Sequence, residues 1–401
     1  MSEILSFGCR LNALEGEAIR AHLAGLPDSI VVNTCAVTAE AERQARQAIR
    51  RAAREHPGVP IVVTGCAAQI APARWSALPG VARVLGNAEK LDARSWRAAA
   101  PVMVGDIMHA PPIPASPVAE FAGRARAFLQ IQQGCDHRCT FCTIPLGRGR
   151  SRSVAPEAVL AQARTLMQAG HRELVLTGVD LTSYGADLAG RPRLGHLAAR
   201  LLAETDLPRL RLSSVDPAEL DEDFWSLLAA EPRLMPSLHL SLQAGADLIL
   251  KRMRRRHSTA AAAAVIARAR ALRPDIAIGA DLIAGFPTET EALFRATLDF
   301  VTAHRIAYLH VFPYSERPGT PAARMPAVPV GVRRDRARAL REAARDNAAA
   351  FHAGFVGRAL AVLAEGDGTG RSEHGIRVRT GARPGSIATL RITAADAEGL
   401  A

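Results

Sequence analysis

Six cysteines fall into two groups of three, and each group could bind a metal centre. Cys135, Cys139 and Cys142 form a compact C-x3-C-x2-C in QGCDHRCTFCTIP. Cys9, Cys35 and Cys66 are scattered, yet each ends a strand-like run: EILSFGC, SIVVNTC and PIVVTGC. Three thiolates hold three irons of a 4Fe-4S cluster and leave the fourth iron open to a ligand. Two such groups predict two clusters, each with an open iron, which is an arrangement suited to catalysis. Structural zinc is the competing reading of the compact group. A closed zinc site takes four ligands, and His137 would complete a Cys3His set. One short loop wraps four donors around a small ion only with distortion, whereas three cysteines on a loop cap one face of a larger cluster.

The scattered cysteines gain meaning from the elements around them, since a lone cysteine is usually a small buried hydrophobe. Residues 1–100 alternate strand and helix, with helical patterns in NALEGEAIRAHLAG, TAEAERQARQAIRRAAREH and AAQIAPARWSAL. Such alternation predicts a parallel sheet, whose strands all end along one edge, where ligands bind. Cys9, Cys35 and Cys66 are therefore expected to converge on one crevice.

Residues 101–126 carry Pro101, Pro111, Pro112, Pro114 and Pro117 with little periodicity and are expected to be a linker. From 127 to 330 strands and helices alternate again, the strands being FLQIQQ, ELVLTGV, RLRLSSV, SLHLSLQ, AIGADLIAGF and YLHVFPYS. Six β/α units predict an open, partial (β/α)6 barrel with its reactive end at the strand C-termini. The compact cysteines lie in the loop after the first strand. A connecting helix over 331–352 leads to a short β-rich module over 353–401 with three strands, in RALAVLAE, GIRVRT and SIATLRIT. The fold class is α/β throughout, apart from that last module.

At 48% hydrophobic residues the chain can build real cores, and no apolar run reaches the roughly 20 residues of a membrane span. No membrane association is expected. The start, MSEILSFGC, lacks the basic region of a signal peptide, and six thiols suit a reducing cytoplasm. The net charge of +11 is concentrated at 146–153 and 250–258 and predicts a polyanionic partner, although solvated arginines on helices would give the same sum.

The segments together resemble the radical S-adenosylmethionine methylthiotransferases over nearly the whole chain. GCRLNALEGE, NTCAVTAEAERQAR and VVTGCAAQ match the N-terminal domain of that family. IQQGCDHRCTFCTIPLGRGRSRS, with Phe141 before its last cysteine, matches the cluster loop. LTGVDLTSYG, RLSSVDP, HLSLQAGADLILKRMRRRHS, DLIAGFPTET and HVFPYSERPGTPAARM match successive barrel segments. GCRLN and NTCAVT resemble the group that modifies threonylcarbamoyladenosine, next to the tRNA anticodon on its 3′ side. Arg10 and Leu11 fit neither the isopentenyladenosine group nor the ribosomal-protein group.

The resemblance implies a cluster on Cys135, Cys139 and Cys142 that binds and cleaves S-adenosylmethionine, and a second on Cys9, Cys35 and Cys66 that holds the sulfur. The two would face each other across adenine C2, served by an electron donor and a sulfur donor that the sequence does not identify. Gly178, Ser241, Gln243 and Gly285 are the cofactor-lining candidates, although a strand-end turn explains Gly178, a polar barrel interior explains Ser241 and Gln243, and a structural turn explains Gly285. Arg148, Arg150 and Arg152 are candidates for holding a phosphate or the cofactor carboxylate, against a solvated charge run. Relatives usually carry a five-stranded RNA-binding module at the C-terminus, so the module here is expected to be shortened. The tRNA is expected to meet Arg377, Arg379 and Arg383, or residues 251–256. Thr288, Asp180 and His257 depart from the common family pattern. Nothing calls for a partner chain, so a monomer is expected. The same chemistry on isopentenyladenosine or a ribosomal protein, and a non-catalytic RNA-binding metalloprotein, are the alternatives.

Overall fold

Two runs of β-branched residues, Ile30–Thr34 and Ile61–Gly65, form the centre of the N-terminal sheet, and every residue in both is buried. Strands covered on both faces read as continuous apolar runs. Ile30, Val32, Ile61 and Val63 pack with Ala45 and Ile49 of the helix Ala39–Glu55. The alternate residues Val31 and Val62 pack with Ile19 and Leu23, from the helix Arg10–His22 and its C-terminal cap. The computed structural model describes residues 2–114 and 118–401.

The sheet is parallel and has five strands in chain order, the outer ones being Glu3–Ser6, Val81–Leu85 and Val102–Met103. It is therefore wider than the three strands read from the sequence. Val102–Met103 lies in the stretch expected to be a linker, and two residues are too short for periodicity to reveal. Pro117, counted among the linker prolines, lies outside the described residues.

Six parallel strands follow: Arg126–Gln130, Glu173–Thr177, Arg209–Leu212, Ser237–Gln243, Ala277–Ala284 and Tyr308–Pro313. They pair in chain order, and the third breaks at Ser213, pairing with the second before the break and, as Ser214–Val215, with the fourth after it. The first and sixth do not pair, so the barrel is open. Along Ser237–Gln243, Leu238, Leu240 and Leu242 are buried toward the helices, while Ser237, His239, Ser241 and Gln243 share the other, partly open face. That alternation puts the polar residues in the lumen.

The helix Val330–Ala353 packs on the sixth strand and leads into four antiparallel strands: Ala359–Ala364, Thr369–Ser372, Arg377–Arg379 and Ile387–Arg391. One of them, Thr369–Ser372 (TGRS), has too few apolar residues to read as a strand. The module docks beneath the barrel, at the starts of its strands. Arg209 donates to the carbonyls of Arg371 and Ala361 at 3.0 and 2.7 Å, and Arg126 pairs with Glu365 at 2.7 Å. Among the described residues no helix is long and apolar enough to cross a membrane.

Leu240 is fully buried in the largest core cluster. Leu240→Ala is expected to cost about 2–5 kcal/mol, measured as a lowered denaturant midpoint at unchanged slope.

Candidate active site

Each scattered cysteine leaves its strand at the same edge of the sheet. Cys9 caps the helix Arg10–His22, Cys35 directly follows Ile30–Thr34, and Cys66 opens the short helix Cys66–Ile70. The turns that bring them there are tight. Gly65, at φ +96°, runs so close to the second strand that a Cβ would collide with the Thr34 carbonyl. Gly134, at φ +77°, does the same before Cys135, with the Arg150 carbonyl in the way. Gly8 precedes Cys9 in a similar left-handed conformation. The Gly-Cys step, present three times in the sequence, is thus the local device that turns a strand end into a ligand position.

Cys35 senses Cys66 and Cys9, and Cys135 senses Cys142 and Cys139. Burial pushes the Cys35 thiol up to about 12, and Cys66 and Cys9 add to the shift. Burial likewise pushes Cys142 up to about 12, with Cys139 adding to it, and raises Cys135, which also faces Asp180. Such thiols ionise only where a cationic centre neutralises them. Donors already point at the sulfurs: Val37 N–H to Cys35, His137 N–H to Cys135 and Ile144 N–H to Cys142, each at 3.4 Å, and Arg255 Nη1 to Cys139 at 3.6 Å.

The spacing of the sulfurs separates the two metal readings. Sulfurs around one tetrahedral zinc lie about 3.8 Å apart, given Zn–S of about 2.3 Å. Among the described residues neither cysteine group brings its three sulfurs within 4.8 Å of one another. His137 gathers instead with Cys135 and Asp180, its Nε2 lying 2.9 Å from Asp180. Among the described residues the Cys3His arrangement is not formed.

The segment 142–148 joins the two groups. Thr143 Oγ1 donates to the Ala36 carbonyl at 3.3 Å, and Gly147 lies against Cys66. Asn87 Nδ2 bridges the Gly147 carbonyl and, at 3.5 Å, the Cys66 sulfur. Cys142 and Cys66 are close enough for one thiolate to raise the pKa of the other thiol.

Beneath this junction lies a buried ionic group. Arg148 donates to both oxygens of Glu15, at 2.7 and 2.9 Å, and to Asn12 Oδ1 at 2.6 Å. Lys90 Nζ reaches Glu15 at 2.7 Å and Asn33 Oδ1 at 3.3 Å. Arg148 is therefore not the phosphate or cofactor ligand considered above; its fork is filled by Glu15. Arg152 is likewise committed, to the carbonyls of Pro111 and Arg148 at 2.6 and 3.0 Å. Arg150 remains exposed. The sequence carried a signal for Glu15: it sits on the buried face of its helix, among Leu11, Leu14, Ala18 and Ile19.

Two arginines of the basic run 251–256 are also turned inward. Arg255 bridges Asp216 at 2.7 Å and the Ser241 carbonyl at 2.8 Å while facing Cys139, and Arg252 holds Thr288 Oγ1 at 2.7 Å. Arg256 pairs with Glu219 and His137. Lys251 and Arg254 stay exposed.

Among the cofactor-lining candidates, Gly178 ends the second barrel strand against Gln132, whose Oε1 accepts from the N–H groups of Val179 and Asp180. Ser241 and Gln243 face the lumen near the strand C-terminus, and Gln243 adopts φ +69°, a strained conformation for a non-glycine residue. Gly285, at φ +71°, lies against Arg333 and gives its N–H to Glu289 at 2.9 Å. Of the departures from the family pattern, Asp180 holds His137 and Ser183, His257 Nε2 donates to the Leu242 carbonyl, and Thr288 stands at φ +67°.

A model of the Radical SAM superfamily matches residues 129–301, and one described as an uncharacterized protein family, UPF0004, matches residues 2–86. The threonylcarbamoyladenosine tRNA methylthiotransferase MtaB of Rickettsia prowazekii is 45% identical over 94% of this chain and 90% of its own length. Its Bacillus subtilis namesake is 38% identical over 80% of this chain and 74% of its own. A tRNA-2-methylthio-N(6)-dimethylallyladenosine synthase of Sphingopyxis alaskensis is 36% identical over 91% and 86%. Among solved structures, the radical S-adenosylmethionine methyltransferase TsrM of Kitasatospora setae, with cobalamin and a [4Fe-4S] cluster bound, superposes with a TM-score of 0.54. At 17% identity over 76% of this chain and 68% of that one, the likeness is one of fold.

Breaking the buried group should be costly. Arg148→Ala is expected to destabilise the chain by about 3–5 kcal/mol in urea unfolding, because it strips the main counter-charge from a buried carboxylate. Burial alone would raise the Glu15 pKa, but Arg148 and Lys90 prevail and hold it down at about 2, against an ordinary 4.5. Its contribution to stability is therefore complete above about pH 4.5 and lost as pH falls toward 2. Glu15→Gln should lower stability at neutral pH and flatten the acid limb of a stability–pH curve over that window.

Proposed function

The chain belongs to the radical S-adenosylmethionine tRNA methylthiotransferases, and from that membership we propose that it inserts a methylthio group at C2 of threonylcarbamoyladenosine at position 37 of tRNA, using two 4Fe-4S clusters. The observation that carries the reading is the meeting of two cysteine triads across the segment 142–148, where Thr143 reaches the Ala36 carbonyl and Gly147 lies against Cys66. The threonylcarbamoyl nucleoside is favoured over the isopentenyl one by the 45% identity to the Rickettsia relative named for it, against 36% to the Sphingopyxis one.

Cys135, Cys139 and Cys142 would hold the cluster that binds S-adenosylmethionine, and Cys9, Cys35 and Cys66 the cluster that carries sulfur. Bound there, these groups would supply one-electron radical chemistry able to activate an inert C–H bond, and the sulfur that replaces the hydrogen. The residues of the chain position the reactants. Arg255 lays its charge beside Cys139, where an anionic cluster gains from it. Ser241 and Gln243 line the lumen for the cofactor, Gly178 keeps the strand end narrow, and Gly285 shapes the turn beside it. Lys251, Arg254, Arg379 and Arg383 are exposed cations for tRNA phosphates. Both triads lie on one chain, so a monomer suffices, working in the cytoplasm with separate electron and sulfur donors.

The test is anaerobic incubation of reconstituted protein with S-adenosylmethionine, reductant, sulfide and tRNA containing both nucleosides, followed by nucleoside mass spectrometry. A methylthio gain on the threonylcarbamoyl nucleoside alone is expected. Gain on the isopentenyl nucleoside would overturn the substrate assignment, and no gain on either, beside an active control enzyme, would overturn the tRNA reading. Replacing Cys9, Cys35 and Cys66 by Ala should lower iron from about eight to about four per chain. Sulfur insertion should stop while S-adenosylmethionine cleavage continues.

A further inference from the structure

Three polar side chains from neighbouring strands meet in the barrel lumen, apart from the cysteines. His239 lies on the lumen face of Ser237–Gln243. Asp281 comes from the next strand, Ala277–Ala284, where it is half-buried between the buried Ala280 and Leu282. His310 comes from Tyr308–Pro313 and stands directly across from Asp281 in the strand register. His239 Nε2 lies 3.1 Å from Asp281 Oδ1, and His310 Nδ1 lies 3.0 Å from the same oxygen. One ligand atom from each residue falls within 4.8 Å of the other two, a gathering that neither cysteine group shows. Gly279 keeps the place open, because a Cβ there would come within 2.4 Å of His239 Nδ1. Its backbone is not left-handed, so this glycine serves space rather than a turn.

We propose that His239, Asp281 and His310 form a binding site for a divalent first-row transition-metal ion, separate from both cysteine triads. The donor set and its spacing carry the inference. Two imidazoles and one carboxylate on one side of an ion, with positions left open, suit zinc or iron(II). Nitrogen and oxygen donors about 2.0–2.1 Å from one ion lie about 3.0–3.4 Å apart, from octahedral to tetrahedral geometry. The 3.1 and 3.0 Å separations at Asp281 match that spacing. Held by hydrogen bonds alone, both rings would have to aim a proton at one carboxylate oxygen. Around a cation, all three side chains turn lone pairs toward one point. The His310 side chain is 55% exposed, against 18% and 19% for His239 and Asp281, so an ion can enter from the lumen and keep water as a further ligand. Ser241 lies two residues beyond His239 on the same strand face, about 7 Å along it. The site is therefore one layer below the cofactor-lining candidates. An ion there would tie the sixth strand, which borders the open seam, to the fourth and fifth. The inference does not depend on which nucleoside the chain modifies.

The test loads untagged, anaerobically reconstituted protein with zinc by equilibrium dialysis at micromolar free metal. Zinc and iron are counted by plasma mass spectrometry, and the zinc environment is read by X-ray absorption. Wild-type protein should take up about one zinc per chain, with nitrogen and oxygen neighbours at about 2.0–2.1 Å and no sulfur at about 2.3 Å. His310→Ala and Asp281→Asn should each lose that zinc while keeping the iron content of the wild type. His310 is exposed, so its replacement leaves the core intact. The inference is overturned if wild-type protein takes up no zinc, a result that needs no variant to fold. It is equally overturned if the bound zinc has sulfur neighbours, or if both variants retain it.

Discussion

Glu15, Arg148 and Lys90 form a buried ionic group with one carboxylate for two cations, and the architecture of the site depends on it. Such a group is unfavourable in isolation, because three charges lose their water and one positive charge stays unbalanced. Thiolates at Cys66 and Cys9, which favour the charged form of Arg148, would restore the balance. The group also ties three parts of the chain together: the helix after Cys9, the end of the N-terminal sheet, and the loop that follows the compact cysteines. The relative placement of the two triads is therefore fixed by an interaction that touches neither substrate nor cofactor.

Much of this could be read from the sequence where the signal was local. Strand-helix alternation located all six barrel strands, and the idea that strand ends converge gathered Cys9, Cys35 and Cys66 along one edge. The alternation in SLHLSLQ gave the face of Ser241 and Gln243. What escaped was short or long-range. Val102–Met103 and Thr369–Ser372 are strands because neighbours pair with them, not because their residues demand it. Arg148 looked like part of a solvated run until the fold brought Glu15 to it from 133 residues away.

The arginines illustrate the difference between composition and use. The surplus of +11 suggested a surface for polyanions, and the run 251–256 looked like its centre. In the folded chain Arg252, Arg255 and Arg256 turn back to Thr288, Asp216 and Glu219 and organise the rim of the cluster loop. Arg209 and Arg211 tether the C-terminal module. The exposed cations left for a nucleic acid, Lys251, Arg254, Arg379 and Arg383 among them, are spread across separate elements.

The open seam of the barrel carries a consequence of its own. An unpaired first or sixth strand offers a row of free backbone groups, which in water invites pairing with another molecule. Here the helix Arg10–His22 packs on the first strand and the helix Val330–Ala353 on the sixth. The N-terminal domain thus acts as the missing wall of the barrel. Neither half could be exchanged for a stranger's without exposing such an edge, so the N-terminal domain and the barrel are bound to change in step.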